Sequence, residues 1–125
     1  MSIFHDQYEF LQAGDVPVGT FEAEKLANKL IEEEFNELRC EPWYLGPSSS
    51  HGSIKEALDL MYVTAQYLNV TIGPDKANEC WDALHANNMS KCTDGKLLKR
   101  KDGKVLKPIG YKKLDLSPLL TKELS

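Results

Sequence analysis

"LIEEEFNEL", residues 30–38, places four glutamates in nine positions and sets them among leucines, an isoleucine and a phenylalanine. The apolar residues recur at helical spacing: Leu26, Leu30 and Ile31, then Phe35 and Leu38. That period belongs to a helix with one apolar stripe, not to a strand or a solvated acidic tail. Thr20 stands where an N-cap belongs, and Glu22 and Glu24 follow in the first turn, where the helix dipole favours carboxylates. The helix is expected to run to about Arg39. Residues three or four apart on it share a face, so Glu33, Glu34 and Glu37 cluster. Glu32 falls about 100° away from Glu33 and is left for solvent. Clustered carboxylates repel one another and raise their own pKa values, a conflict that a bound dication removes.

Working outward, the same device recurs on the next helix. Glu56 and Asp59 in "EALDLMY" are three apart, on a face that continues into Tyr62. Ser53 reads as the N-cap of this helix, with Glu56 at the spacing of a capping box, and Leu68 as its end. Leu58, Met61, Tyr62, Ala65 and Leu68 supply its apolar face. Two antiparallel helices, each offering a pair of carboxylates, can surround one hard metal such as Mg²⁺ with oxygen ligands. The plainer alternative is that these carboxylates form solvated helix faces, as acidic residues on helices usually do.

Before these helices, residues 3–12 suit a short helix with Ile3, Phe4, Tyr8 and Leu11 on one side, broken by Gly14, Pro17 and Gly19. Between them, Pro42 and "GPSSSHG" (46–52) read as a loop, with His51 exposed in it. Pro74 suits the start of a third long helix reaching about Met89, with Ala77, Cys80, Trp81, Leu84 and Ala86 apolar. His85 on it has no metal-spaced partner. "KLLKRKDGKVLKP" (96–108) carries two short runs around Asp102-Gly103, a hairpin signal. The end, "DLSPLLTKELS", is weakly determined. The fold class is therefore all-α, with a small C-terminal β-hairpin.

The chain has 125 residues, 42% hydrophobic and 27% charged, which suits one globular domain. Its core is expected over about residues 8–92, with a basic hairpin and tail over 93–125. Its net charge is −4, from 19 acidic and 15 basic residues, which makes nucleic acid an unlikely partner. The two signs are segregated: acidic residues crowd 22–41 and lysines crowd 91–113. Such a chain can hold a metal at one place and phosphates at another. Cys40, Cys80 and Cys92 lack any C-x-x-C pair, which argues against zinc or a disulfide framework and for reduced thiols in the cytoplasm. "MSIFHDQYEF" lacks the pattern of a signal peptide, and no apolar run is long enough to span a membrane.

These residues carry a resemblance. Glu33-Glu34-Phe35-Asn36-Glu37 and Glu56-Ala57-Leu58-Asp59 match the E-E-x-x-E and E-x-x-D signature of the MazG-like, all-α nucleoside triphosphate pyrophosphohydrolases. That superfamily includes phosphoribosyl-ATP pyrophosphohydrolases and dimeric dUTPases. "DLMYVTAQYLNV" resembles its second core helix, and "HANNMSK" with "DGKLLKRKDGKVLKPIGY" resembles the C-terminal segment of short, often phage-encoded members. "YEFLQAGDVP" resembles their N-terminal helix and turn, so the likeness spans about residues 8–116. Asn36 departs from it, standing where many relatives have a small residue.

The resemblance implies a four-helix-type bundle completed by oligomerisation, as a homo-oligomer, often a dimer of dimers. It implies Mg²⁺-dependent hydrolysis of a (deoxy)nucleoside triphosphate to the monophosphate and pyrophosphate. Glu34, Glu37, Glu56 and Asp59 would hold Mg²⁺, with Mn²⁺ as substitute, and Glu33 would position or deprotonate the attacking water. Asn88, Lys91, Arg100, Lys104 and Lys107 would bind the phosphates. Gln12, Trp43, Tyr62 and Tyr111 would line the base or sugar site, Trp43 and Tyr44 lying in the 40–52 loop. Phage relatives suggest a deoxynucleotide, with dGTP as the favoured base. The alternatives are a dUTPase or phosphoribosyl-ATP pyrophosphohydrolase of the same superfamily, and a non-enzymatic oligomeric helical module.

Overall fold

The computed structural model describes residues 2–42 and 51–124. Five helices follow in order: α1 (Ile3–Ala13), α2 (Phe21–Cys40), α3 (His51–Ile72), α4 (Pro74–Met89) and α5 (Ser117–Leu124). The fold is all-α among the described residues. Local chemistry places the helix ends. The Ser2 hydroxyl accepts from the His5 N–H at 3.3 Å at the start of α1, and Thr20 Oγ1 accepts from the Ala23 N–H at 3.2 Å at the start of α2. Gly73, at φ +80°, takes the left-handed conformation that ends α3, and Pro74 opens α4 without losing a helical N–H bond.

The chain forms two compact units, one through Ala77 and one from Asn78 onwards. In the first, α1 and α2 both pack against α3. Leu11, Ala23, Ala27 and Val70 form one buried cluster, bordered by Tyr8, Val16 and Tyr67. Phe4, Ala65 and Ala77 form another, bordered by Leu68 and Ile72. Alanines at these contacts are small enough to let helices approach closely. Between α1 and α3 the core turns polar. Asn69 Nδ2 donates to Phe4 O and to Gln7 Oε1, both at 2.8 Å, and Gln7 Nε2 donates to Gln66 Oε1 at 3.2 Å. Gln7 and Asn69 are fully buried.

Several expectations are corrected. Ser53 is the third residue of α3 and is buried, so it is not that helix's N-cap. His51 is not in a loop but begins the described part of α3. That helix also continues past Leu68 to Ile72, because nothing breaks it before Gly73. The apolar stripe of α2 is not uniformly inside. Ala23 and Ala27 are buried, while Leu26 and Phe35 are about half exposed. On α3, Leu58 and Met61 are exposed and Ala65 is buried. Part of each apolar face therefore stays open.

In the second unit, the segment after α4 makes two isolated antiparallel bridges, Thr93–Lys96 and Lys99–Val105, and no longer strand among the described residues. The Asp102–Gly103 turn closes the second bridge, with the Arg100 N–H donating to Lys104 O at 2.8 Å. Gly103, at φ +88°, supplies a conformation that other residues rarely adopt. The weakly determined tail forms a helix: Asp115 Oδ1 accepts from the Ser117 N–H at 2.9 Å and α5 follows. The signal was an Asp two residues before a Ser-Pro pair.

Candidate metal centre

The glutamates of α2 and the acidic pair of α3 meet because these two helices pack together. Carboxylate oxygens of Glu34, Glu56 and Asp59 lie within 4.8 Å of one another. All three side chains are half-buried, Glu56 the most enclosed of the α3 pair at 15% side-chain exposure against 35% for Asp59. Glu34 Oε2 and Glu56 Oε2 are buried with no hydrogen-bond partner. Buried anionic oxygens without a donor are costly, so the arrangement invites a cation. Mg²⁺ ligand oxygens stand about 3–4 Å apart around the ion, within reach of small rotamer changes here.

Glu37 approaches from α2. Its hydrogen bond with Glu56, together with burial, raises the Glu56 pKa above the ordinary value, while Lys55 opposes that shift. Lys55 is the cation beside the cluster. Its Nζ lies 2.6 Å from Asp59 Oδ2 and 4.0 Å from Glu56 Oε1. The hydrogen bond to Asp59 holds the Lys55 pKa above its usual value. Sequence reasoning passed over Lys55, although its place four residues before Asp59 was a visible signal. Glu33 is exposed on α2, outside the three-carboxylate group. Glu32 is exposed too.

The other expected site residues fall as follows. Gln12 is exposed near the end of α1, while Gln7, five residues earlier, is buried. Tyr62 stands edge-to-face with Phe10, ring centroids 5.7 Å apart. It also borders a hollow of about 150 Å³ with Ile3, Leu58, Met61 and Ala65. Trp43 and Tyr44 lie outside the described residues.

Within the second unit, Lys91 Nζ donates to Asn88 Oδ1 at 3.2 Å, joining two of the expected phosphate ligands. Lys91 and Lys107 each approach the Tyr111 ring, at 5.7 and 5.5 Å from its centroid. The Tyr111 hydroxyl donates to Asn87 Oδ1 at 2.7 Å, and Asn87 Nδ2 donates to Lys112 O at 2.8 Å. Asn87 was missed in the sequence, hidden beside Asn88. It pins the 111–112 segment to α4 at one wall of a groove of about 530 Å³, also lined by Ala83, Ala86, Pro108 and Leu114. Arg100 is engaged in its own turn. It pairs with Asp102, which together with the Lys104 N–H holds the Asp102 carboxyl below its usual range. Lys104 is exposed.

Compared with known proteins, the chain matches no family model and no curated sequence. Among the described residues, no helix is long and apolar enough to cross a membrane.

Proposed function

We propose that this chain is a Mg²⁺-dependent nucleoside triphosphate pyrophosphohydrolase of the MazG-like type, releasing pyrophosphate and a nucleoside monophosphate. The observation that carries this reading is the convergence of Glu34, Glu56 and Asp59 from two helices, with two of their oxygens buried and unpartnered. Glu34, Glu56 and Asp59 would hold the ion, with Glu37 beside Glu56 as a further carboxylate. Mg²⁺, or Mn²⁺ in its place, would supply Lewis-acid polarisation of phosphate oxygens and stabilise charge on the leaving pyrophosphate.

The chain's own groups do the rest. Glu33 is exposed and reachable by water, which suits it to accept the proton as water oxygen bonds to the α-phosphorus. The bond to the bridging oxygen breaks, and its electron pair leaves with pyrophosphate. Asn88, Lys91, Arg100, Lys104 and Lys107 are assigned to phosphate neutralisation. Lys91 and Asn88 are already paired, whereas Arg100 would have to leave Asp102. Tyr62, Tyr111, Gln12 and Trp43 are assigned to base and sugar. The substrate is read as a deoxynucleotide, dGTP first.

The half-open apolar faces of α2 and α3 support a bundle completed between copies, as a homo-oligomer. The Lys99–Val105 bridge supports a small basic hairpin after α4. The same open faces also favour the second reading, a non-enzymatic oligomeric helical module whose carboxylates are surface charge.

The test is incubation with Mg²⁺ and each of the eight common NTPs and dNTPs, products resolved by ion exchange, with Glu56→Gln alongside. Monophosphate plus pyrophosphate, lost in the variant, supports the hydrolase and ranks the bases. No turnover of any substrate, and no change in melting with Mg²⁺ or Mn²⁺, supports the module instead.

A further inference from the structure

We propose that Lys55 is a built-in counter-ion of the carboxylate cluster, a positioning residue that holds Asp59 in the metal-free protein and is displaced when a divalent cation enters. The inference rests on the metal-centred reading above and adds a residue to it. Lys55 Nζ lies 2.6 Å from Asp59 Oδ2 and 4.0 Å from Glu56 Oε1, the two α3 members of the cluster. Helix-surface energetics favour this pair only weakly, because Lys preceding its acidic partner by four is the weaker order for such a pair. What favours an ammonium here is the group of carboxylates that it faces.

Lys55 serves that group only in part. It reaches Asp59, the more exposed of the α3 pair, and leaves Glu34 Oε2 and Glu56 Oε2 buried without a partner. A dication bound to all three carboxylates would satisfy those oxygens and take Asp59 from the ammonium. Lys55 can yield, because its side chain is 70% exposed and can swing into water. It therefore weakens metal binding by competition and by repulsion.

The test is titration with Mn²⁺, free ion followed by its EPR signal, at fixed pH and ionic strength. Wild type, Lys55→Gln, Lys55→Met, Lys55→Arg and Glu56→Gln are compared after each is shown to be folded by circular dichroism. Lys55→Gln and Lys55→Met are expected to bind Mn²⁺ roughly tenfold more tightly than wild type, the effect of one unit charge about 6 Å from a dication in water-like surroundings. Lys55→Arg, which keeps the charge, should stay close to wild type. Unchanged or weaker binding in both neutral variants, with Mn²⁺ still bound by wild type and lost in Glu56→Gln, overturns the role of Lys55 alone. Wild type that binds no Mn²⁺, or binds it equally well as Glu56→Gln, overturns the metal centre and this inference with it.

Discussion

At the scale of single residues, the carboxylates and the buried amides meet one problem to different degrees. Asn69 and Gln7 place amide donors on core acceptors, Gln66 Oε1 among them, and leave Asn69 Oδ1 unpaired, whereas Glu34 and Glu56 each bury an oxygen with no partner. Asn69→Ala leaves Phe4 O and Gln7 Oε1 without their donor. It should lower stability by about 2 kcal/mol in urea unfolding, the cost of orphaned buried acceptors plus a small cavity. The Glu56 pKa is raised from 4.5 by Glu37 and by burial, so ionised Glu56 is disfavoured in the fold. Its stabilising contribution is thus complete below that ordinary value and is lost as pH rises through the raised one. Glu56→Gln should therefore melt higher than wild type in EDTA at pH 8, with the gap closing as pH approaches 4. A wild type that melts higher at pH 8 without metal would show that the cluster is not strained by its charge. This residue chemistry was half legible. The spacing of Glu34, Glu37, Glu56 and Asp59 is visible in the chain, but the partner that each oxygen meets depends on how α2 lies against α3.

Among the elements, the caps speak most directly from sequence. Thr20 is read as an N-cap from its residue type and from the acidic turn after it, and it caps α2. Thr20→Ala should cost about 1 kcal/mol, seen as an earlier urea midpoint with an unchanged slope. Ser53 misled because Ser followed three later by Glu satisfies a local rule wherever it occurs. In this chain that pair lies inside a helix beginning no later than His51. The α5 helix escaped notice for the reverse reason: eight residues have weak periodicity, and the local mark is the Asp115 carboxylate accepting from the Ser117 N–H. Small residues decide how the elements meet. Ala27 is fully buried within the cluster shared by α1, α2 and α3, so Ala27→Leu should force the helices apart. The expected loss is about 1–3 kcal/mol by thermal or urea melting.

For the molecule as a whole, the open apolar surface is the dominant feature. Phe21 is 70% exposed, Phe10 61% and Leu58 60%, and Met61 and Phe35 stand half open on their helices. A chain of this size rarely leaves so many large apolar side chains in water without a use for them. Sedimentation equilibrium should find a dimer or larger species, with a melting temperature that rises with protein concentration. The double variant Leu58→Glu/Met61→Glu should sediment as a monomer. Concentration-independent melting of a wild-type monomer would count against assembly through these faces.

The amino-acid sequence by itself determined that this protein is helical, and where most of its helices start and stop. Those outcomes rest on near-neighbour physics: a 3.6-residue apolar period, hydroxyl caps, and Gly-Pro punctuation. Only the tertiary structure decided which side of each apolar stripe is inside. It put Ala27 and Ala65 in the core, where α1, α2 and α3 approach closely, and left Leu26, Phe35 and Leu58 toward water. Only the tertiary structure, too, set Glu34 against Glu56 and Asp59 and seated Lys55 beside them. Residues more than twenty positions apart meet through helix packing, and packing is a property of surfaces that periodicity alone does not specify.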